Sequence, residues 1–149
     1  MITNTTMTLY NKISGTETYQ RTVIPGPVQW ENRKAANGMR TGALSSNTAR
    51  VFIPMSLGGD YLKPKAWQAL ATKTGKWTLQ DGDVIVKGTV TDEIHAAVPA
   101  VVGPPAVAEV PAFTVTSLKA KYDDVLVITS VDTFDMGSVA LRHWELGAK

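Results

Sequence analysis

Apolar and polar residues alternate along most of this chain with the two-residue period of strands. In ETYQRTVIP, Tyr19, Arg21 and Val23 share one face and Thr18, Gln20, Thr22 and Ile24 the other, and Pro25-Gly26 reads as the stop. The run Val28 to Ala36 sets Val28, Trp30 and Asn32 against Gln29, Glu31 and Arg33, so a hairpin across Pro25-Gly26-Pro27 is expected. NGMRTGALSSNT, Asn37 to Thr48, has the Gly, Ser and Asn content of a long turn or flexible loop, and ARVFIP then forms a short strand ending at Pro54. One helix is expected in KPKAWQALATKTG, with Pro64 early, Gly75 past its end, and Trp67, Leu70 and Ala71 on one face, plugging one opening of the fold.

Strand periodicity then returns. KWTLQDGDVIVKGTV gives two pieces about an Asp81-Gly82 turn, with Val84 and Val86 facing opposite to Ile85 and Lys87. FTVTSLKAKY and DDVLVITSVDTF read as a further strand pair, the second of central type. In SVALRHWEL, Val139, Leu141, His143 and Glu145 alternate with Ala140, Arg142, Trp144 and Leu146; Gly147 to Lys149 then read as a free or partner-bound end. Seven or eight short strands with one short helix predict an all-β fold, a small antiparallel barrel or sandwich with long loops.

Composition narrows the function classes. A chain of 149 residues suits a single domain, 1–149, and its 44% apolar and 19% charged content suits a folded protein. A net charge of +2 is too small for the field that non-specific DNA binding uses. The absence of cysteine excludes disulfides, thiolate metal sites and cysteine nucleophiles. Apolar runs too short for a bilayer, and no signal-peptide pattern, lead to the expectation of no membrane partner.

The search for chemistry leads to no enzyme, cofactor or metal expectation. His95 and His143 lack the companions of a helical zinc site, no G-x-S-x-G elbow occurs, and Asp81-Gly82-Asp83 opens like a calcium loop without its remaining ligands. Four scattered tryptophans suit core or interface anchoring better than a base-stacking platform. The unusual feature is a Pro/Ala/Val-rich insertion, residues 96–112. Its four prolines speak against a regular ladder, its valines and single charge, Glu109, speak against a solvated linker, and both a surface loop and a docking arm remain open. The candidate interface residues are Val98, Val101, Val102, Pro104, Pro105, Val107 and Val110, with Arg142 and Trp144 of the last strand, Trp144 packing either in the core or at a subunit seam.

The pieces LYNK, TYQRTVIPGPVQW, VFIP, TLQDGDVIVKG and the terminal VITSVDTFDMGSVALRHWELGAK occur in an order that resembles a family of small structural proteins of tailed bacteriophages, chiefly of Gram-positive hosts: minor capsid or head-tail connector proteins. The resemblance implies a virion protein of the neck, assembled in the host cytoplasm, in which a homo-oligomeric ring, hexamer or dodecamer, joins portal and adaptor to tail as a head-closure component. Genomic DNA would pass it without sequence-specific binding. A capsid decoration protein and a tail terminator or tube protein are the rival readings, and a small hydrolase using His143 is a distant one. The segment around Val98 to Pro111 departs from the family pattern.

Overall fold

The computed structural model describes the backbone of residues 3–39 and 42–149 and the side chains of 4–32 and 48–149. Six antiparallel strands close into a barrel in the order β1-β2-β3-β6-β5-β4. Their ranges are β1 Thr3–Lys12, β2 Tyr19–Met39, β3 Gly42–Pro54, β4 Val84–Lys87, β5 Val125–Phe134 and β6 His143–Ala148. Closure lets one face of each strand fill the interior. Met7 and Leu9, Val28 and Trp30, Val51 and Ile53, Ile85, Leu126 and Ile128, and Trp144 and Leu146 form that buried core. Each such aliphatic side chain removed from water contributes about 1.5–3 kcal/mol, so alternation also fixes the register.

A second core lies outside the barrel wall. The outward-facing Tyr10, Val84 and Val86 pack with Val90, Ile94, Leu118 and Val125, under a strap of residues 88–94 and the helix α2, Val115–Lys121. This explains why Val84, Ile85 and Val86 are all buried in a strand that still alternates: both of its faces are covered. The strap is tied down by Thr8, whose hydroxyl donates to Gly88 O and accepts from the Val90 N–H, each at 2.9 Å.

Four local expectations are corrected. Pro25-Gly26-Pro27 does not turn the chain; β2 runs straight through it, and pairing with β1 steps from Met7↔Ile24 to Thr5↔Val28, a bulge that absorbs the extra residues. The prolines fall where β2 has not yet begun pairing with β3, so their missing N–H groups break no ladder on that side. Gly26 sits at φ +79°, and a β-carbon there would meet Thr5 O at 2.5 Å.

In the segment expected as a long turn or flexible loop, 37–48, residues 37–39 and 42–48 instead continue β2 and β3 as a ribbon. Asn37 pairs with Leu44 and Lys34 with Asn47; Arg40 and Thr41 lie outside the described residues. Small and polar residues suffice there because the backbone still finds partners across the pair.

FTVTSLKAKY is not a strand. Thr114 caps α2, its hydroxyl accepting from the Ser117 N–H while Ser117 Oγ accepts from the Thr114 N–H, and Lys119 and Lys121 close its last turn. The capping pair outweighs the β-branched residues that suggested a strand.

At the other end of the chain, Val139–Leu141 forms a 3-10 turn, and β6 starts at His143. Gly147 and Ala148, expected in a free or partner-bound end, are β6 residues, and Lys149 exchanges both backbone hydrogen bonds with Val127 at 3.0 Å. The terminus completes the barrel because β3 and β5 would otherwise expose unpaired edges.

The helix expected after Lys63 is present but short, α1 Pro64–Gln68, with Trp67 fully buried. It belongs to the excursion 55–82, which leaves β3 and returns to β4 at the same end of the barrel and delivers Trp77 and Leu79 into the core. Trp77, Tyr61 and Trp144 pack mutually with centroids 4.5 to 5.6 Å apart, and Gly58 makes room for the Trp144 ring.

Gly26→Ala introduces both a backbone clash and a positive-φ strain, and is expected to lower unfolding free energy by about 1–3 kcal/mol in urea titration.

Candidate functional site

The 96–112 insertion is a second hairpin, built by an unusual rule. His95 pairs with Phe113, Val98 with Val110 and Val101 with Val107, each pair exchanging two backbone hydrogen bonds of 2.9 to 3.1 Å. The segment forms no regular strand ladder, as its four prolines led us to expect, yet it pairs with itself through these isolated bridges. Pairing recurs every third residue instead of every second, and Pro99 and Pro111 fall at positions that donate nothing. A backbone that presents the same groups to its partner every third residue has three-fold periodicity, as polyproline II has. The paired valines are thereby oriented alike along the finger.

The root of this finger is held by polar contacts. The Tyr19 N–H donates to Ile94 O at 3.2 Å, Arg21 Nε pairs with Glu93 at 3.0 Å, and Tyr10 donates to Asp92 O at 2.7 Å. The Asp92 carboxylate accepts from Tyr122 and Lys121, and these bonds hold its pKa below the usual carboxylate range while raising those of the tyrosine and the lysine. Phe113 and Val115 pack against the second core. Beyond the root no described residue covers the finger: Val98, Val101, Val107 and Val110 are 43–54% exposed and Val102 is 98% exposed.

A second apolar surface occupies the outer wall where β2 and β3 meet the β5–β6 connection. Asn4, Pro27, Gln29, Phe52, Pro54 and Ala140 to His143 line a groove of about 330 Å³. His143 is half-buried, stacked on Phe134 at 4.9 Å and tilted against Phe52 at 5.8 Å. Next to it Met136, Val139 and Leu141 are 73–87% exposed. Arg142 Nη2 donates to Gly137 O at 3.3 Å, whereas its Nε is buried and without a hydrogen-bond partner among the described residues.

The structure thus gathers seven of the sequence-derived interface residues, Val98 through Val110, on one finger. It places Arg142 in a separate groove and Trp144 in the barrel core, where it is not available to a partner. Sequence reasoning missed Phe52 and the exposed flank of Val139 and Leu141, because the assumed strand alternation assigned these positions to a sheet face, and it missed Met136, which lies between the two expected strands. Met136-Gly137-Ser138 was the available signal: β5 ends at Phe134, and a glycine at φ +85° in the connection that follows leaves its apolar neighbours without a sheet to join.

One buried polar cluster has a structural explanation. Asp83 accepts from Asn11 Nδ2 at 2.6 Å, from the Lys12 N–H at 2.9 Å and from Gln80 Nε2 at 3.1 and 3.2 Å, and Asn11 also bridges to Thr78. These bonds tie the 55–82 excursion to β1. Burial pushes the Asp83 pKa up, opposed in part by its donors.

Over residues 2–149 the sequence matches a family of unknown function (DUF6751), and the chain belongs to that family. No curated protein and no solved structure matches it.

Asp83→Ala leaves buried donors unpaired and is expected to cost about 2–3 kcal/mol near pH 4. Because the folded state binds the Asp83 proton more tightly than the unfolded one, this carboxyl's contribution is fullest at low pH and declines as pH rises through its raised folded value. The difference between wild type and variant in urea unfolding should accordingly narrow as pH rises above the ordinary carboxylate range.

Proposed function

We propose that this member of the family is a structural protein of a tailed-bacteriophage virion, a ring component of the neck that joins the portal and its adaptor to the tail in the manner of a head-closure protein. The observation that carries the reading is a closed barrel with two projecting hairpins. The 31–48 ribbon continues past the end of the barrel where β2 leaves β1 at Trp30, and the valine finger is rooted beside Tyr19, where β2 begins. The two roots are on the order of 35 Å apart at the rise of a strand. Such a unit can pack side by side through its wall while its hairpins reach neighbours above and below. The resemblance of LYNK, TYQRTVIPGPVQW and the terminal VITSVDTFDMGSVALRHWELGAK to connector proteins supports the same role, as does a net charge of +2 in a wall past which DNA slides.

The 31–48 ribbon favours one rival, a tail-side tube or terminator protein, in which a long hairpin stacks rings. Cryo-electron microscopy of particles from the producing host separates the two. The neck reading predicts ring density for this chain between adaptor and tail. Density along the tail tube, on the outer shell as a decoration protein, or nowhere in the particle would contradict it.

A further inference from the structure

The finger and the groove have complementary surfaces, and within one chain they do not meet. The finger is a narrow, apolar projection whose valines remain exposed, and the groove is lined by Phe52, Pro54 and Leu141 without any finger residue. Apolar surface of this kind, rimmed by polar residues on one side and protruding on the other, marks contact sites. Charge adds a register. Across residues 96–112 the single charged side chain is Glu109, opposite Pro99 by the pairing of Val98 with Val110. The groove in turn contributes the half-exposed guanidinium of Arg142, whose Nη2 donates to Gly137 O. A guanidinium carries five N–H donors, more than that one bond uses, and a carboxylate is the group that fits its accessible edge.

We infer that the valine finger of one copy of this chain seats in the Phe52–Leu141 groove of a second copy, with Glu109 of the finger accepting from Arg142 of the groove. The two surfaces differ, so the contact is heterologous: each copy offers a finger to one neighbour and a groove to the other, and a suitable rotation closes the chain of contacts into a ring. The three-residue pairing suits the role, since proline-stiffened backbone loses less entropy when it docks. The inference rests on the ring-forming reading for closure into a ring, whereas the finger-in-groove contact is a claim about two copies in solution.

The protein contains no cysteine, so disulfide trapping reports the contact cleanly. Val101→Cys and Leu141→Cys, prepared separately and mixed under mild oxidation, are expected to give a covalent heterodimer, and the double variant a ladder of multimers. Val101→Cys mixed with Lys119→Cys, on the outer face of α2, serves as the control. In sedimentation, Glu109→Arg and Arg142→Glu should each weaken self-association about tenfold, and the two variants combined should restore it. Glu109→Arg lies on an exposed finger and leaves the barrel untouched, so its effect is not one of folding. Trapping no stronger than in the control, or charge reversal without mutual rescue, overturns the inference. If particles nevertheless show this chain as a neck ring, the function stands and only the mode of contact is wrong. Trapping together with absence from the neck gives the converse.

Discussion

The closure of the sheet by the last strand is the constraint on which the rest of this molecule depends. β6 lies between β3 and β5, and Leu146 pairs with Val51 on one side and Val131 on the other. Its inward residues Trp144, Leu146 and Ala148 complete the core, and the backbone of Lys149 pairs with Val127. A closed barrel has no edge to which another sheet can add. Association must therefore use what projects from the barrel or what lies on its wall, and the chain carries both: a ribbon at 31–48, a finger at 95–113 and a groove beside the β5–β6 connection.

Much of the barrel was legible in the sequence because its strands obey a single rule. Val28 and Trp30 share a face, Val84 and Val86 oppose Ile85, and Trp144 and Leu146 point inward, all as a two-residue period requires. The misreadings have one physical source: a local signal answered by a distant partner. Pro25-Gly26-Pro27 has turn chemistry, but the bulge against Thr5 accommodates it. Val115 and Thr116 favour a strand, but the Thr114–Ser117 cap and the place of Leu118 over the outer wall make a helix. Gly147 and Ala148 lack strand propensity, yet the gap between β3 and β5 supplies it.

The candidate interaction surface was only half legible. The valines of the insertion stood out because so many apolar side chains without a fold signal invite an explanation. Their pairing did not, since a period of three lies outside the helix and strand templates. The groove was invisible, because Phe52, Pro54 and Leu141 are distant in sequence and meet only when β3 packs beside β6. The same holds for the Asp83 cluster, in which Asp81-Gly82-Asp83 looked like the start of a metal loop and Asp83 instead receives three donors from β1 and Gln80.

Amide hydrogen exchange along β6 tests the closure most directly. In a closed barrel every β6 amide faces either β3 or β5, so Trp144, Glu145, Leu146 and Gly147 should all exchange slowly and together, through global unfolding. If the sheet were instead open along the β5–β6 seam, amides facing that seam would exchange fast while their neighbours bonded to β3 stayed slow. Such an alternating pattern would contradict the closed barrel, and with it the argument that association is left to the projections and the wall.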